Sequence, residues 1–176
     1  MDANIGHEEF ERIYTEYNKR MYAYFLSRTG NVHDSEDLTA NVFLKLYTRY
    51  SLFDAEKSKF DVWFFRLARN TVIDFYRTTK SKTDRTVVID EAIEISSGAS
   101  PEIETINNEQ NKILANAIKL LPDKKREIVT LKYISGLKNY EIAEIVGTSE
   151  NNISVVLHRA LKELDKILSK QGFDML

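Results

Sequence analysis

The chain has 176 residues, 43% hydrophobic and 30% charged, with a formal net charge of −2, which suits a soluble chain of one domain or two small ones. Cysteine is absent, which excludes disulfides, thiolate metal sites and Cys nucleophiles. No apolar run approaches the ~20 residues that span a bilayer, and the start, MDANIGHEEFER, lacks the basic-then-apolar order of a secretory leader. Cytoplasmic placement without membrane insertion is therefore expected. Only six Gly and two Pro predict a mostly helical chain.

Residues 8–29 are predicted to form the first helix. Phe10, Ile13, Tyr14, Tyr17, Met21, Tyr24 and Phe25 recur at helical spacing, and Gly30 is a natural stop. Asp34 or Ser35 is the predicted cap of the next helix, with Asp37 in its first turn. Leu38, Val42, Leu46 and Tyr50 make its inner stripe. A polar loop then leads into a third helix, Phe60 to Thr79. Its predicted inner face is Phe64, Leu67, Ala68, Thr71, Val72 and Phe75. Arg66, Asn70, Ile73 and Arg77 lie opposite, flanked by Trp63, Arg69 and Asp74. From Lys57 to Lys82 there are seven Lys or Arg against two Asp. Cations neutralise phosphates, and an indole offers a flat surface to an unstacked base, so this face suits nucleic acid. A solvated amphipathic helix accounts for the same charges.

Helical periodicity then stops. Residues 82–100 scatter Val87, Val88, Ile89 and Ile95 among acids before Ser-Ser-Gly-Ala-Ser-Pro, and a linker or tether is expected there. After Pro101, the residues Ile103, Ile106, Ile113, Leu114, Ala117, Leu120 and Leu121 predict a helix ended by Pro122. Asp123 is the expected cap of a second, closed by Gly136. A short helix from Tyr140 to Val146 precedes Gly147 and Thr148. Ser149 caps a last helix to about Ser169, with Ile153, Leu157, Ala160, Leu161, Leu164 and Leu168 inside. A short helix, a Gly turn and a longer capped helix form a helix-turn-helix pattern. Charge follows the same division: residues 1–80 are balanced, 81–109 carry a net −5 and 110–176 a net +3. His7, His33 and His158 have no ligand spacing, and no Gly-rich phosphate loop is present, so no cofactor, metal or catalytic set is expected.

The order FDxExxxFxxWxFRxARNxxIDxYR, carried by Phe53, Asp54, Glu56, Phe60, Trp63, Arg66, Ala68, Arg69, Asn70, Asp74, Tyr76 and Arg77, resembles the promoter-melting segment of bacterial sigma factors of the extracytoplasmic-function type. Ala55 and Ser58 stand where that family often has Pro and Gly. The second helix resembles the family through Glu36, Asp37, Leu38, Thr39, Val42, Phe43, Leu44 and Lys45. The family's second DNA-reading domain is matched by Leu121, Pro122, Lys125, Arg126, Glu127, Tyr133, Gly136, Leu137, Glu141, Ile142, Ala143, Gly147, Ser149, Glu150, Leu157, His158, Arg159 and Ala160. The matches cover nearly the whole chain in the family's order.

The resemblance implies an all-α fold of two small helical domains, 1–82 and 101–176, joined by an acidic flexible linker, 83–100, with the helix-turn-helix in the second. It implies a factor that binds core RNA polymerase and promoter DNA, has an anti-sigma factor as a further partner, and performs no chemistry itself. Trp63, Arg66, Arg69, Asn70, Arg77 and Lys80 would serve the minus-ten element. Asn151, Asn152, Ser154, Val155, His158 and Arg159 would read the minus-thirty-five element. Asp37, Leu38, Asn41 and Lys45 would contact polymerase, although Ala40 and Asn41 replace a frequent Gln-Glu pair. The linker would thread near the polymerase active site and RNA exit path. Relatives usually place two cations early in the recognition helix, where this chain has Asn151 to Val156; Asn and Val suit adenine edges and thymine methyls, so base reading would be kept at reduced charge. A stand-alone helix-turn-helix regulator, or a sigma-like interaction module with weak DNA binding, are the other readings.

Overall fold

The first helix, α1 (His7–Thr29), ends where Gly30 adopts φ 68° and its N–H bonds the Leu26 carbonyl; a left-handed residue costs glycine little. In the structure, a computed structural model describing residues 5–82 and 104–172 and side chains over 5–79 and 110–172, α2 (Val32–Arg49) follows at once. Its cap is Asn31, whose side-chain oxygen accepts the Asp34 N–H at 2.9 Å. The expected caps, Asp34 and Ser35, lie inside the helix, because the chain turns directly from Gly30 through one extended residue. Asp34 thus takes the first-turn acidic position assigned to Asp37. Ser35 is buried and donates to the Asn31 carbonyl at 2.5 Å.

A 3-10 turn, Tyr50–Leu52, and a polar loop lead to α3 (Phe60–Lys82). The predicted inner residues Phe64, Leu67, Ala68, Thr71 and Val72 are buried. So are Val62 and Phe65, which the amphipathic pattern left out. Phe65 meets Tyr24 edge-on at 5.9 Å and carries the Arg20 guanidinium over its ring at 5.2 Å. Helix α3 therefore buries a second side, against α1. Full burial of each such side chain contributes about 1.5–3 kcal/mol.

The second half comprises α4 (Glu104–Lys119), α5 (Asp123–Val129), a π-helical segment (Thr130–Ile134), α6 (Asn139–Val146) and α7 (Glu150–Lys170). Pro122, not Asp123, is the residue before α5, and Asp123 opens its first turn, where its charge suits the helix dipole. Gly147 takes φ 75° at the end of α6, and Ser149 caps α7 by accepting the Asn152 N–H at 3.1 Å. Helix α7 buries Ile153, Leu157, Ala160, Leu164 and Leu168. Leu161, expected beside them, is exposed, since it falls at the margin of that stripe.

The halves touch. Helix α1 packs on α5 and the π-helical segment, α3 on α6, and α4 on α1 and α7. Buried apolar side chains from both halves form one contiguous cluster. No strand occurs among the described residues. The expected linker, 83–100, lies outside them.

Candidate nucleic-acid interface

The candidate face begins in the loop before α3. Asp54 accepts the Glu56 N–H at 3.0 Å and pairs with Lys57 at 3.0 Å, which shapes the turn without the Pro or Gly common in relatives. Phe53, Phe60 and Trp63 then form an aromatic step, with Trp63 5.4 Å from Phe53 and 5.9 Å from Phe60. Trp63 is half-buried and packs against the core, so one side of the indole is structural and the remainder is accessible. About two turns further, Asn70 is exposed. Arg77 is 76% exposed and its nearest acid, Asp74, is 3.8 Å away, a separation with little energetic weight in water. Lys80 lies in α3, and its side chain is outside the described residues.

The other two arginines are engaged by the second half. Arg66 donates to the carbonyl of Glu144 at 3.1 Å and to its carboxylate at 3.3 Å. The Nε of Arg69 donates to Glu127 at 3.0 Å. The loop residue Lys59 reaches Glu141 at 3.2 Å and donates to the Tyr140 hydroxyl. Away from this row, Arg20 donates to the Ser135 carbonyl at 2.7 Å and to Asp61 at 2.8 Å. Arg28, only 6% exposed, donates to both carboxylate oxygens of Asp123, at 2.8 and 3.2 Å. Apart from the Arg20–Asp61 pair, which stays within the N-terminal half, these cations come from the N-terminal half and their acceptors from the C-terminal half.

None of these partners was among the candidate site residues read from sequence. Two carried a signal. Glu127 and Glu141 stand directly before apolar residues, in EIV and EIA, and both are buried; a buried carboxylate requires a partner. Burial pushes the Glu141 carboxyl up, but hydrogen bonds from the Lys138 N–H, Lys59 and Tyr140 outweigh that and hold it below its ordinary value. The Tyr24 hydroxyl, 3.5 Å from Glu127, is pushed well up, first by burial and then by that carboxylate, so it stays protonated and can donate to Glu127.

On α7 the structure spreads Asn151, Ser154, Val155, His158 and Arg159 over the exposed surface. Asn152 is half-buried, and its amide donates to Thr148 at 2.9 Å. Ser154 accepts from Asn139 at 3.1 Å, which ties the recognition helix to α6. On α2, Asp37 and Asn41 are exposed, but Leu38 is 5% exposed and belongs to the core. The common patch drawn over Asp37, Leu38 and Asn41 therefore reduces to its two polar members. Lys45 donates to Thr71 at 3.0 Å, across an open groove of about 360 Å³ between α2 and α3. Among the described residues there is no cluster of three metal-ligating side chains, and no helix is long and apolar enough to cross a membrane.

Both halves match known proteins. Residues 13–82 match the Sigma-70 region 2 family, and residues 111–164 match Sigma-70, region 4. The chain is 30% identical to the ECF RNA polymerase sigma factor SigW of Bacillus subtilis over 92% of its own length and 89% of that protein's. It is 32% identical to SigM of the same organism, covering 91% and 95%. Against BldN of Streptomyces coelicolor the identity is 30%, but the chain spans only 61% of that protein. The fold is shared with the sigma factor RpoE of Bartonella quintana, solved in complex with the anti-sigma factor NepR, at a TM-score of 0.73 and 20% identity over 92% of this chain and 98% of that one. It is also shared with CnrH, solved with the cytosolic domain of CnrY, at 0.65 and 18% over 94% and 90%. The chain belongs to the extracytoplasmic-function RNA polymerase sigma factors, the initiation factors that direct polymerase to promoters.

Proposed function

We propose a division of labour within this sigma factor. Residues 1–82 dock on core polymerase and open the minus-ten element, 83–100 connect, and 101–176 read the minus-thirty-five element. Arg66, Arg69, Arg77 and Lys80 hold the phosphate backbone of the melted strand. Trp63 stacks or wedges at the fork, and Asn70 with the Phe53–Lys59 loop receives an extruded base. On α7, Asn151, Asn152, Ser154, Val155, His158 and Arg159 form the duplex-reading face. Asp37, Asn41 and Lys45 make the polymerase contact, with Leu38 supporting them from beneath. The protein performs no catalysis; polymerase does the chemistry. It acts in the cytoplasm, and an anti-sigma factor controls it; the structural relative RpoE of Bartonella quintana was solved in complex with the anti-sigma factor NepR.

The observation that carries this reading is the α3 surface. An aromatic step of Phe53, Phe60 and Trp63 stands directly before a row of Arg66, Arg69, Asn70 and Arg77 on one helix. Stacking surfaces beside backbone cations are what a single strand requires, and a duplex reader has no need of them. Permanganate footprinting of promoter melting across a salt series tests it. Arg77→Ala should reduce opening on many promoters and flatten its salt dependence. Melting by Arg77→Ala identical to wild type at every salt concentration would remove the basic face from the mechanism.

A further inference from the structure

Among the described contacts, Glu127 and Glu144 bond only to the N-terminal half: Glu127 to Tyr24 and Arg69, Glu144 to Arg66. Glu141 divides its carboxylate between the Lys138 N–H that starts α6 and the Lys59 ammonium. Three carboxylates of α5 and α6 thus meet three cations on the face assigned to the melted strand. Carboxylate and phosphate present the same kind of acceptor to a guanidinium, so one occupant excludes the other. We propose that this acidic row is an internal substitute for the promoter strand. In the chain by itself α5 and α6 hold the melting face shut, and engagement of polymerase exchanges carboxylates for phosphates. The inference rests on the reading of Arg66 and Arg69 as phosphate ligands given above.

The closure is one-sided. Asn151, Val155, His158 and Arg159 are exposed on α7, away from the contact between the halves. The free chain therefore keeps its duplex-reading surface open and withholds its single-strand surface. The contact is also built to release. The Arg66–Glu144 pair is 42% and 46% exposed, which leaves it screened by salt and readily exchanged. Arg69–Glu127, at 28% and 8%, is the tighter member, because separating it strands a carboxylate in a desolvated place.

The test uses the full chain without polymerase and a single-stranded oligonucleotide carrying the non-template minus-ten sequence. Glu127→Gln/Glu144→Gln removes the competing charges while keeping the side-chain shapes. Its binding should be about tenfold tighter at low salt, and its log–log salt slope steeper by roughly 1.4, two phosphates at about 0.7 each. Glu8→Gln/Glu11→Gln, the same charge change at exposed positions of α1, should give no comparable gain. A lock supplies the converse. The hydroxyls of Ser27 and Thr130 are 2.6 Å apart across the two halves, outside both nucleic-acid faces, and the chain has no other thiol. Oxidised Ser27→Cys/Thr130→Cys should bind the strand more weakly than the same protein after reduction. Equal affinity and slope for the Gln pair and wild type would overturn the proposal, as would a gain matched by the α1 control. Adding Arg66→Ala to the Gln pair separates the two readings. Loss of the gain supports both, whereas a gain that survives removes Arg66 from the strand-binding face and leaves the permanganate result to judge the rest.

Discussion

Two helices carry the proposed nucleic-acid faces, and they are held in opposite ways. On α3 the cations are plentiful, and two of its arginines are bound to acids of the other half. On α7 the outward side chains are free of that contact but poor in charge, with Asn151 and Val155 at the exposed start. The comparison teaches that local composition does not determine availability. A basic helix can be spoken for, and a nearly neutral one can be open. On the proposed reading, α3 supplies backbone affinity once released, and α7 supplies choice of sequence.

The largest test of that contrast sets Arg69 against Arg77 on the same helix. Arg69→Ala leaves the Glu127 carboxylate buried without its ion partner, and should destabilise the chain by about 3 kcal/mol, the low end for unpairing a buried ion because Arg69 is partly wet. Arg77→Ala should cost less than about 0.5 kcal/mol. Urea unfolding of the two variants measures the difference; equal losses would mean that the Glu127 contact adds nothing. On α7 the two asparagines divide similarly. Asn151 is exposed, whereas Asn152 spends its amide on Thr148. Asn151→Ala should lose about 2 kcal/mol of discrimination between matched and altered upstream elements, typical of one bidentate base contact. Asn152→Ala should lose less. Transcription from paired promoters with polymerase present reads both, and a larger effect at Asn152 would reverse their roles.

A smaller effect sharpens the coupling between the halves. Ser149→Ala removes the α7 cap and should cost about 1 kcal/mol. Hydrogen exchange should show the loss in α6 and α7, and also in α3 through its contact with α6; protection of α3 unchanged would mean that the halves respond separately. The smallest effect is acid sensitivity. The Glu141 carboxyl is held below its ordinary value of 4.5, so it stabilises the fold above that value in full. The contribution is lost as pH falls through the lowered folded value. Lys59→Ala should flatten part of the stability change below pH 4.5, leaving the part due to the Lys138 N–H. An unaltered acid profile would remove Lys59 from the account.

Much of the fold was legible from the chain alone. Helical spacing located α1, α2 and α7, and Gly30, Gly147 and Ser149 marked ends that the structure keeps. Phe65 was not legible, because periodicity measures how one helix divides its own residues, and Phe65 is covered by Tyr24 and Arg20 from outside that division. Leu38 was read both as part of the inner stripe of α2 and as a polymerase contact beside Asp37, and its burial keeps it in the stripe. The arginines of α3 were recognisable as a set, but their acids lie 58 and 78 positions away. Pairing over such a distance leaves no local pattern. The apolar neighbours of Glu127 and Glu141 were the available clue that those acids are not ordinary surface charges.

The π-helical segment from Thr130 to Ile134 has a consequence for how this chain tolerates change in length. Its wider turn is expressed in the Ser135 N–H bonding back to Thr130 at 2.9 Å, and it ends with the Ser135 carbonyl on Arg20. An α-helix advances by roughly 100° per residue. Deleting one residue here would let α5 run on in regular geometry, but would rotate Ser135 away from Arg20 and shift the hydroxyl of Thr130 relative to Ser27. Substitutions in this segment alter single contacts, whereas a one-residue deletion would put a whole seam out of register.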